Sequence, residues 1–295
     1  MAKDKISFDQ KFGESFLAGV PTTPGIYLIS NEAGELIYVG KAKNLRRRLS
    51  QYRSAKRRKK HQKMRLIMAD AFEIRIENCA SDLDASLLEA KVIQEKRPKW
   101  NTAGAFHFIY PMIGLKKNDG SLHFCFTTTP ECLEGFEYHG AYRSRSTTGT
   151  AFFSLMKILT YIGHKSKTKP KDRIKYSYVY SFRNLPEHWF PLFSDFLKGE
   201  SKNIFEELVM ALVENTGARR KPREIQKHLN LIARFWRHEA KALSNARASS
   251  GFTAYPVPQK ERDFIFLKYR FAKADKKILN QKIPKKKQLV SLAKA

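Results

Sequence analysis

Residues 25–40, GIYLISNEAGELIYVG, contain two short β-rich runs, IYLI at 26–29 and LIYV at 36–39. A five-residue, glycine-containing loop at 31–35 lies between the runs, and this arrangement predicts a β-hairpin. Tyr27 and Tyr38 would then lie on facing strands. Because tyrosine is an ordinary strand former, the pair by itself indicates no chemistry.

The residues after the hairpin predict two helices, a strand and a further helix. Apolar residues at i, i+4 and i+7 from Leu45 favour the first helix, and a second follows around Ile67. Residues 72–77 alternate apolar and charged side chains, as a half-buried strand does. Ser81 fits the cap of a helix that runs to about Lys96. The predicted order is therefore β-β-α-α-β-α.

The chain carries a large excess of positive charge, since 56 Lys and Arg against 28 Asp and Glu give a formal net charge of +28. Hydrophobic residues make up 42% and include 21 Phe, which excludes wholesale disorder. The run from Lys41 to Arg65 holds 13 Lys or Arg and no acid. This distribution predicts a polyanionic partner, most simply nucleic acid bound through its phosphates. An anionic membrane surface is the competing interpretation.

The sequence gives no sign of a membrane or secreted protein. No uncharged apolar run approaches the 18 or so residues that a membrane helix needs, and the N-terminus lacks a signal-like apolar stretch. The three dispersed cysteines, Cys79, Cys125 and Cys132, are too few for a disulfide framework or a paired-cysteine metal site. We therefore expect a soluble cytoplasmic protein with reduced thiols and no membrane partner.

Glu89 is the carboxylate in an unusual position. On a helical wheel it lies between Ala85 and Ile93, in the apolar face of the last predicted helix. A carboxylate in an apolar face is costly unless it is paired or coordinates a cation. Arg48 or Lys41 could be its partner in a plain ion pair, so the residues alone leave both interpretations open.

Three groups of motifs form a combination that is more specific than any one of them. They are Gly25-Ile26-Tyr27, then residues 38–49 (YVGKAKNLRRRL), and Leu87-Leu88-Glu89-Ala90 followed by Arg97-Pro98-Lys99-Trp100-Asn101. This combination resembles a GIY-YIG nuclease domain, and more narrowly the UvrC type, the subunit of bacterial nucleotide-excision repair that makes the 3′ incision. A weaker resemblance continues through residues 110–115 and 139–142 to about residue 165.

The resemblance implies an α/β fold around a central, mainly antiparallel three-stranded sheet, with a site that hydrolyses phosphodiesters. Glu89 would be the sole protein ligand of a divalent cation, Mg²⁺ or Mn²⁺, which suits a hard ion that keeps its waters. Tyr38 or Tyr27 would be the general base, and we favour Tyr38, with Tyr27 orienting the water. Since a free phenol has a pKa near 10, positive charge from Lys41 and Arg48 would favour the phenolate.

Other motif residues would hold the substrate. Arg48 would also bind the scissile phosphate, while Tyr52 and Asn101 would position the loop and the substrate. Basic residues on and after the first helix would follow the DNA backbone without reading bases. These are Lys43, Arg46, Arg47, Arg53, Lys56, Arg57, Arg58, Lys59 and Lys60.

The chain also departs from UvrC proteins. It has too few cysteines for the four thiolates of their iron–sulfur cluster, so no such cluster is expected. At 295 residues it has no room for their RNase H-like half. Trp100 stands where Tyr is usual, and His139 where Phe is usual. Length and content are closest to the short UvrC homologues that make only the 3′ incision.

We predict four segments along the chain. They are an N-terminal extension at 1–20, the GIY-YIG nuclease domain at 21–103, a UvrC-like linker with a basic, largely helical α+β region for DNA or partner binding at 104–272, and a loose basic tail at 273–295. Beyond residue 104 the patterns predict strands at 110–115, 122–127, 176–182 and 264–271, and helices at 150–163, 204–213 and 224–246. The helix at 224–246 bears a fainter resemblance to the helical pair through which UvrC contacts UvrB.

The sequence as a whole predicts a metal-dependent DNA endonuclease that acts on the 3′ side of damage in nucleotide-excision repair. Its partners would be damaged duplex DNA and a UvrB-type helicase subunit, and it would work at the nucleoid in the bacterial cytoplasm. Two alternatives remain. One is a non-catalytic nucleic-acid-binding module of the same fold, and the other is a GIY-YIG endonuclease of the restriction or homing type.

Overall fold

The computed structural model describes residues 7–55, 58–102, 105–106, 109–118, 120–166 and 177–282. Its N-terminal part is built on a three-stranded, fully antiparallel sheet with the order β2-β1-β3. These strands are β1 (Gly25–Ser30), β2 (Leu36–Ala42) and β3 (Glu73–Asn78). The predicted hairpin and the order β-β-α-α-β-α are confirmed.

Alternating side chains give this sheet two buried faces. Tyr27 and Ile29 point to the face that packs against α3 and α4, where Leu49 completes the cluster. Ile26 and Val39 point to the other face, which packs against α5. The helices are α3 (Leu45–Arg53), α4 (Gln62–Asp70) and α5 (Asp82–Lys96). The sheet therefore lies between α3 and α4 on one side and α5 on the other.

Two helix starts in this part are fixed by capping side chains. The Asn44 side chain accepts the backbone N–H of Arg47 at 2.8 Å, which begins α3 next to the end of β2. The Ser81 hydroxyl accepts the N–H of Asp84 at 3.0 Å, which begins α5 and confirms the predicted cap. These caps satisfy N–H groups that have no partner within the helix, and so they fix where each helix starts.

The N-terminal extension is part of the hydrophobic core of this first part of the chain. It forms α1 (Phe8–Phe12) and α2 (Phe16–Gly19), and the rings of Phe8, Phe12 and Phe16 pack together with centroids 4.9–5.9 Å apart. Phe8 is buried in the cluster formed with α3 and α4. The ammonium of Lys11 donates to the carbonyl oxygens of Met68 and Ala71 at 2.9 and 2.8 Å. These contacts attach residues 7–19 to the end of α4.

The second part is built on a five-stranded antiparallel sheet with the order β6-β4-β5-β8-β7. Its strands are β4 (Met112–Asn118), β5 (Ser121–Thr127), β6 (Glu137–His139), β7 (His164–Lys165) and β8 (Ser177–Arg183). Its helices are α6 (Arg145–Ile162), α7 (Trp189–Lys198), α8 (Ile204–Glu214), α9 (Thr216–Arg219), α10 (Pro222–Phe235), α11 (Lys241–Ser250) and α12 (Arg262–Lys282). One large core joins the sheet to these helices. The mixed, largely helical second region is confirmed.

The predicted helix over 224–246 is present, but it forms a single rod rather than a helical pair. A five-residue π-helical turn, Trp236–Ala240, joins α10 directly to α11. The apolar stripe that includes Ile225, Ile232 and Leu243 is buried in the core of the second part. The resemblance to a partner-binding helical pair is therefore wrong for this segment, because its apolar face is already covered by its own chain.

The strand predicted over 264–271 is also wrong, because these residues lie within α12. Phe, Ile and Tyr are good strand formers, which favoured that assignment. In the structure Ile265 is buried, and Phe266 and Tyr269 pack partly against the same core, at helical spacing. The helix continues to Lys282, through the first ten residues of the predicted loose tail, while 283–295 lie outside the described residues.

Among the residues that the structure describes, no helix combines the length and apolar character needed to cross a membrane.

Candidate active site

Two glycines allow the first two strands to approach the helices and each other closely. Tyr27 on β1 lies opposite Gly40 on β2, and a Cβ at Gly40 would overlap the phenol of Tyr27. At the start of β1, a Cβ at Gly25 would overlap the side chain of Leu45 and the backbone of β3. Both positions therefore require glycine, because a larger side chain would overlap neighbouring atoms. At residue 40, the space that a side chain would need is occupied by the Tyr27 ring.

The Gly40→Ala substitution is expected to lower the free energy of unfolding by about 1–3 kcal/mol, because the added methyl group overpacks a buried ring. Urea unfolding followed by circular dichroism measures this change. Gly19→Ala is the matched control, since a Cβ there meets nothing within 4 Å, and its stability should stay within about 0.5 kcal/mol of wild type. Equal stabilities for the two variants would contradict the close approach of Tyr27 to Gly40.

A hydrogen-bonded cluster joins Tyr27 to two residues of α3. The hydroxyl groups of Tyr27 and Tyr52 lie 3.1 Å apart, and Nε of Arg48 donates to the Tyr27 hydroxyl at 3.1 Å. The Arg48 guanidinium also donates from Nη1 to Gln51 at 2.8 Å and lies 5.5 Å from the ring centre of Tyr52. The i, i+4 spacing of Arg48 and Tyr52 places both on the side of α3 that faces the sheet.

Burial makes the Tyr27 and Tyr52 hydroxyl groups hydrogen-bonding groups rather than bases. Tyr27 is fully buried, and its pKa lies well above its usual range because burial disfavours the phenolate and the neighbouring tyrosines add to the effect. Burial raises the pKa of Tyr52 as well. Both phenols therefore stay neutral at physiological pH, and Tyr27 holds Arg48 in place.

Tyr38 differs from Tyr27 in its exposure. It lies on the same face of the sheet, diagonal to Tyr27 across the hairpin, with 6.0 Å between the ring centres. Its side chain is only half-buried, and the ammonium of Lys63 lies 5.4 Å from its ring centre. Of the two motif tyrosines, Tyr38 is thus the one whose ring reaches the surface.

Glu89 is half-buried and is held by the backbone of β2. Its Oε1 accepts the N–H of Lys41 at 3.1 Å, and no described residue provides a partner for Oε2. The Lys41 ammonium instead donates to Asp82 at 2.7 Å. Neither of the ion pairs considered for Glu89, with Arg48 or with Lys41, forms among the described residues. The carboxylate is therefore available to another ligand.

The environment of Glu89 shifts its ionisation. Burial raises the pKa of Glu89 above its usual range, while the Lys41 N–H and the charges of Lys41 and Arg48 act in the opposite direction. A positive charge delivered to Oε2 would restore the ionised form. Within the described part of the chain, no group of three or more His, Cys, Asp or Glu side chains could hold a metal. A single carboxylate is nevertheless compatible with a hard cation that keeps most of its water ligands.

Asn101 fastens the end of this part of the chain to β2. Its Nδ2 donates to the carbonyl of Val39 and its Oδ1 accepts the N–H of Val39, both at 2.8 Å. The backbone N–H of Trp100 donates to the carbonyl of Ile37 at 3.0 Å. The Asn101 side-chain amide and the Trp100 backbone N–H thus take the place of a neighbouring strand on the two sides of Tyr38, and this fixes the position of that tyrosine.

Residues 23–102 match the family model of the UvrC-like GIY-YIG domain. This segment is similar to UvrC-like GIY-YIG domains. Its recognition from the sequence motifs is confirmed, as is the three-stranded antiparallel sheet that the motifs implied.

Curated relatives extend the similarity beyond this domain. UvrABC system protein C of Bdellovibrio bacteriovorus is 32% identical over 208 residues, which cover 64% of this chain and 31% of that protein. The protein of the same name from a Shewanella species is 28% identical over 215 residues, covering 69% and 35%. The chain therefore spans about a third of the length of these relatives.

A solved structure shows a further likeness. It is the crystal structure of the GIY-YIG N-terminal endonuclease domain of UvrC from Thermotoga maritima, bound to its catalytic divalent cation, magnesium. The identity is 34%, the match covers 29% of this chain and 91% of that chain, and the TM-score is 0.26.

Two of the basic residues expected to follow DNA have structural contacts in the UvrC-like domain. Arg46 donates to the carbonyl oxygens of Ala18 and Val20 at 2.9 and 2.7 Å. Arg53 forms an ion pair with Asp9 at 2.7 Å. Both therefore attach α3 to the N-terminal helices, a role that the sequence did not predict.

The other predicted DNA-binding residues fall into two groups. Arg47, Arg58 and Lys59 are exposed, and Lys43 is exposed with its ammonium 3.6 Å from Asp82. Lys56 and Arg57 lie outside the described residues, as does the side chain of Lys60. Their role as DNA contacts stays a prediction.

Asp82 is a residue of this site that sequence reasoning missed. It binds the ammonium of Lys41 and lies near that of Lys43, and it thereby holds the first residues after the Tyr38 motif. A signal was present, because Asp82 precedes Glu89 by seven residues, about two helical turns, and so lies on the same face of α5.

Proposed function

We propose that this protein is a metal-dependent DNA endonuclease that hydrolyses a phosphodiester on the 3′ side of damage in nucleotide-excision repair. The observation that carries the proposal is the environment of the Glu89 carboxylate. This carboxylate is half-buried beside the positive charges of Lys41 and Arg48, yet it has no ion-pair partner among the described residues. The match of residues 23–102 to the UvrC-like GIY-YIG domain supports a role of this carboxylate in phosphodiester cleavage.

Glu89 would hold a divalent cation, Mg²⁺ or Mn²⁺. The donor set fits, since none of the described residues binds Oε2, while the Lys41 N–H fixes the orientation of the carboxylate through Oε1. When bound, such an ion supplies positive charge for the phosphate oxygens and for the leaving 3′-oxygen. No iron–sulfur cluster is part of this proposal.

The roles of the remaining groups would follow from how exposed each side chain is to solvent. Tyr38 would accept the proton of the attacking water, because its ring is at the surface and that of Tyr27 is not. Tyr27 would hold Arg48 through its hydroxyl, and Arg48 would bind the scissile phosphate with the part of its guanidinium that α3 does not engage. Lys41 would add positive charge near the reacting phosphate.

Tyr52 and Asn101 would position the site without touching the substrate. Tyr52 contacts the Tyr27 hydroxyl, and Asn101 fixes the backbone of β2 beside Tyr38. In this proposal residues 21–103 carry the chemistry, and residues 104–272 bind DNA or a partner. The relatives named above belong to the UvrABC system, which supports repair of damaged duplex DNA in the bacterial cytoplasm together with a UvrB-type subunit.

Incision of a labelled duplex with one bulky lesion tests the proposal. With magnesium we expect a nick on the 3′ side of the lesion, and chelation of the metal should abolish it. Lanes with and without a UvrB-type protein show whether loading is needed.

The controls separate the alternatives. Cleavage of intact plasmid at defined sites, without lesion or partner, would instead indicate a restriction or homing enzyme. Binding with a steep salt dependence but no nick under any of these conditions would contradict the nuclease and support the binding module.

A further inference from the structure

Helix α12 forms a second wall beside Glu89. It packs against α5, and the two helices enclose a groove of about 590 Å³, which is in the size range of ligand pockets. Glu89 and Lys41 line one side of the groove, and residues of α12 line the other. The Lys41 ammonium lies 5.6 Å from the ring centre of Phe271 on α12. This wall is thus in contact with the candidate active site, although it lies outside the segment that matches the UvrC-like domain.

The groove is strongly basic. Five cationic side chains line it, against the two carboxylates of Glu89 and Asp263. The cations are Lys41, Arg143, Arg262, Arg270 and Lys273. Arg143, Arg270 and Lys273 are exposed, and none of the three forms an ion pair with a carboxylate in the part of the chain that the structure describes. Their charges are available to an anion from outside.

Arg262 adds a fixed positive charge at the base of this groove. Its guanidinium is buried and lies 4.8 and 4.1 Å from the ring centres of Tyr110 and Phe266. Nη1 pairs with Asp263 at 3.0 Å, and that carboxylate also accepts the Tyr110 hydroxyl. Nε and Nη2 have no hydrogen-bond partner among the described residues. A buried, only partly balanced charge acts over a longer distance than one exposed to water.

The α12 residues that line the groove recur at helical spacing. Arg262, Phe266, Arg270 and Lys273 follow one another at i, i+4, i+8 and i+11, so they form one stripe along the helix. Basic side chains therefore continue along the groove from the base at Arg262, on the side that faces α5 and Glu89. An elongated row of cations beside a metal-binding carboxylate fits a polyanionic strand better than a small anion.

We propose that the groove between α5 and α12 binds the phosphates of the nucleic-acid strand that flank the scissile phosphate, with Arg143, Arg270 and Lys273 as the contacts. The position of the scissile phosphate at Glu89 rests on the function proposed above. The strand being cut would thus be held by the C-terminal part of the chain as well as by the UvrC-like domain.

Binding to a labelled DNA duplex tests this groove without relying on cleavage. All variants carry Glu89→Ala, and affinity is measured by fluorescence anisotropy between about 50 and 200 mM salt. Arg270→Ala with Lys273→Ala should weaken binding about tenfold or more and reduce the salt slope by about two. Lys260→Ala with Lys268→Ala is the matched control, since both residues are exposed, lie on or just before α12 and do not line the groove. It removes the same charge and should change the slope by much less.

Equal losses in the two double variants would overturn the proposal, because only the net charge would then matter. An affinity of the groove variant equal to that of the Glu89→Ala protein, with thermal unfolding unchanged, would overturn it as well. Failure of the nuclease proposal alone would give a different result. The protein with Glu89 intact would then not nick DNA, while the groove variant would still lose binding. A double variant with Arg270→Lys and Lys273→Ala keeps one of the two charges. It should therefore retain part of the salt slope that the groove variant loses.

Discussion

Replacing Glu89 with alanine should reduce strand cleavage by about 1,000-fold or more while DNA binding stays close to wild type. The carboxylate is the group that would hold the divalent cation, and the described residues form no cluster of three or more His, Cys, Asp or Glu side chains that could hold the metal in its place. The backbone and the basic residues that bind phosphates are unchanged in the variant. Single-turnover nicking of the lesion duplex and anisotropy on the same duplex measure the two effects separately.

Glu95→Ala is the control for this prediction, since Glu95 is an exposed carboxylate on the same helix. It should nick DNA at the wild-type rate. Cleavage by Glu89→Ala at the rate of this control would show that Glu89 holds no catalytic metal.

The Glu89→Gln variant distinguishes a role of the carboxylate in cleavage from a role in stability. Burial raises the pKa of Glu89, so the folded state binds the proton of this carboxyl more tightly than the unfolded state does. Ionisation at neutral pH therefore destabilises the fold, and this cost disappears as the pH falls below the ordinary pKa of glutamate. In metal-free buffer Glu89→Gln should unfold at or above the wild-type temperature at pH 7 and match it in acid, although it cannot cleave. A lower unfolding temperature at neutral pH would show that the carboxylate serves stability.

Tyr38→Phe should lower the rate of the cleavage step by about 100- to 10,000-fold, the usual contribution of a general base. The variant keeps the ring but loses the hydroxyl oxygen that would accept the proton of the attacking water. Single-turnover rates provide the test, and the binding affinity should not change.

Tyr27→Phe is the matched comparison, because it removes a hydroxyl from the neighbouring ring. That hydroxyl is buried and contacts Arg48, so its loss should slow the reaction only about tenfold, through the position of Arg48. A larger loss of rate in Tyr27→Phe than in Tyr38→Phe would reverse the two roles.

The sequence was most informative where local patterns are strong. Alternation and glycine placed Tyr27 and Tyr38 on one hairpin, and the helical wheel put Glu89 in an apolar face. The wheel could not show that a backbone N–H of β2 meets this carboxylate, because backbone donors are the same at every residue and depend on how the strand and the helix pack. The position of Tyr38 beside Asn101 depends in the same way on a contact between distant residues.

The parts that the sequence did not predict depend on contacts between distant segments. Helix α7 was missed because Pro191 and a group of aromatic residues do not suggest a helix, although a proline in the first turn is tolerated. The sequence of α12 is typical of a strand, and its packing against α5 and α11 could not be predicted from that sequence. For the same reason the basic groove could not be predicted, since Glu89 and Arg270 are brought together by that packing.

The three phenylalanine rings near the N-terminus affect how the UvrC-like domain can be isolated. A fragment cut at the limits of the family match, residues 23–102, lacks Phe8, Phe12 and Phe16 and leaves the apolar surfaces of α3 and α4 in water. It also removes Asp9, the ion-pair partner of Arg53. Exposed apolar patches promote aggregation. A recombinant fragment should therefore begin upstream of Ser7, so that the hydrophobic surface remains covered and the protein stays monodisperse.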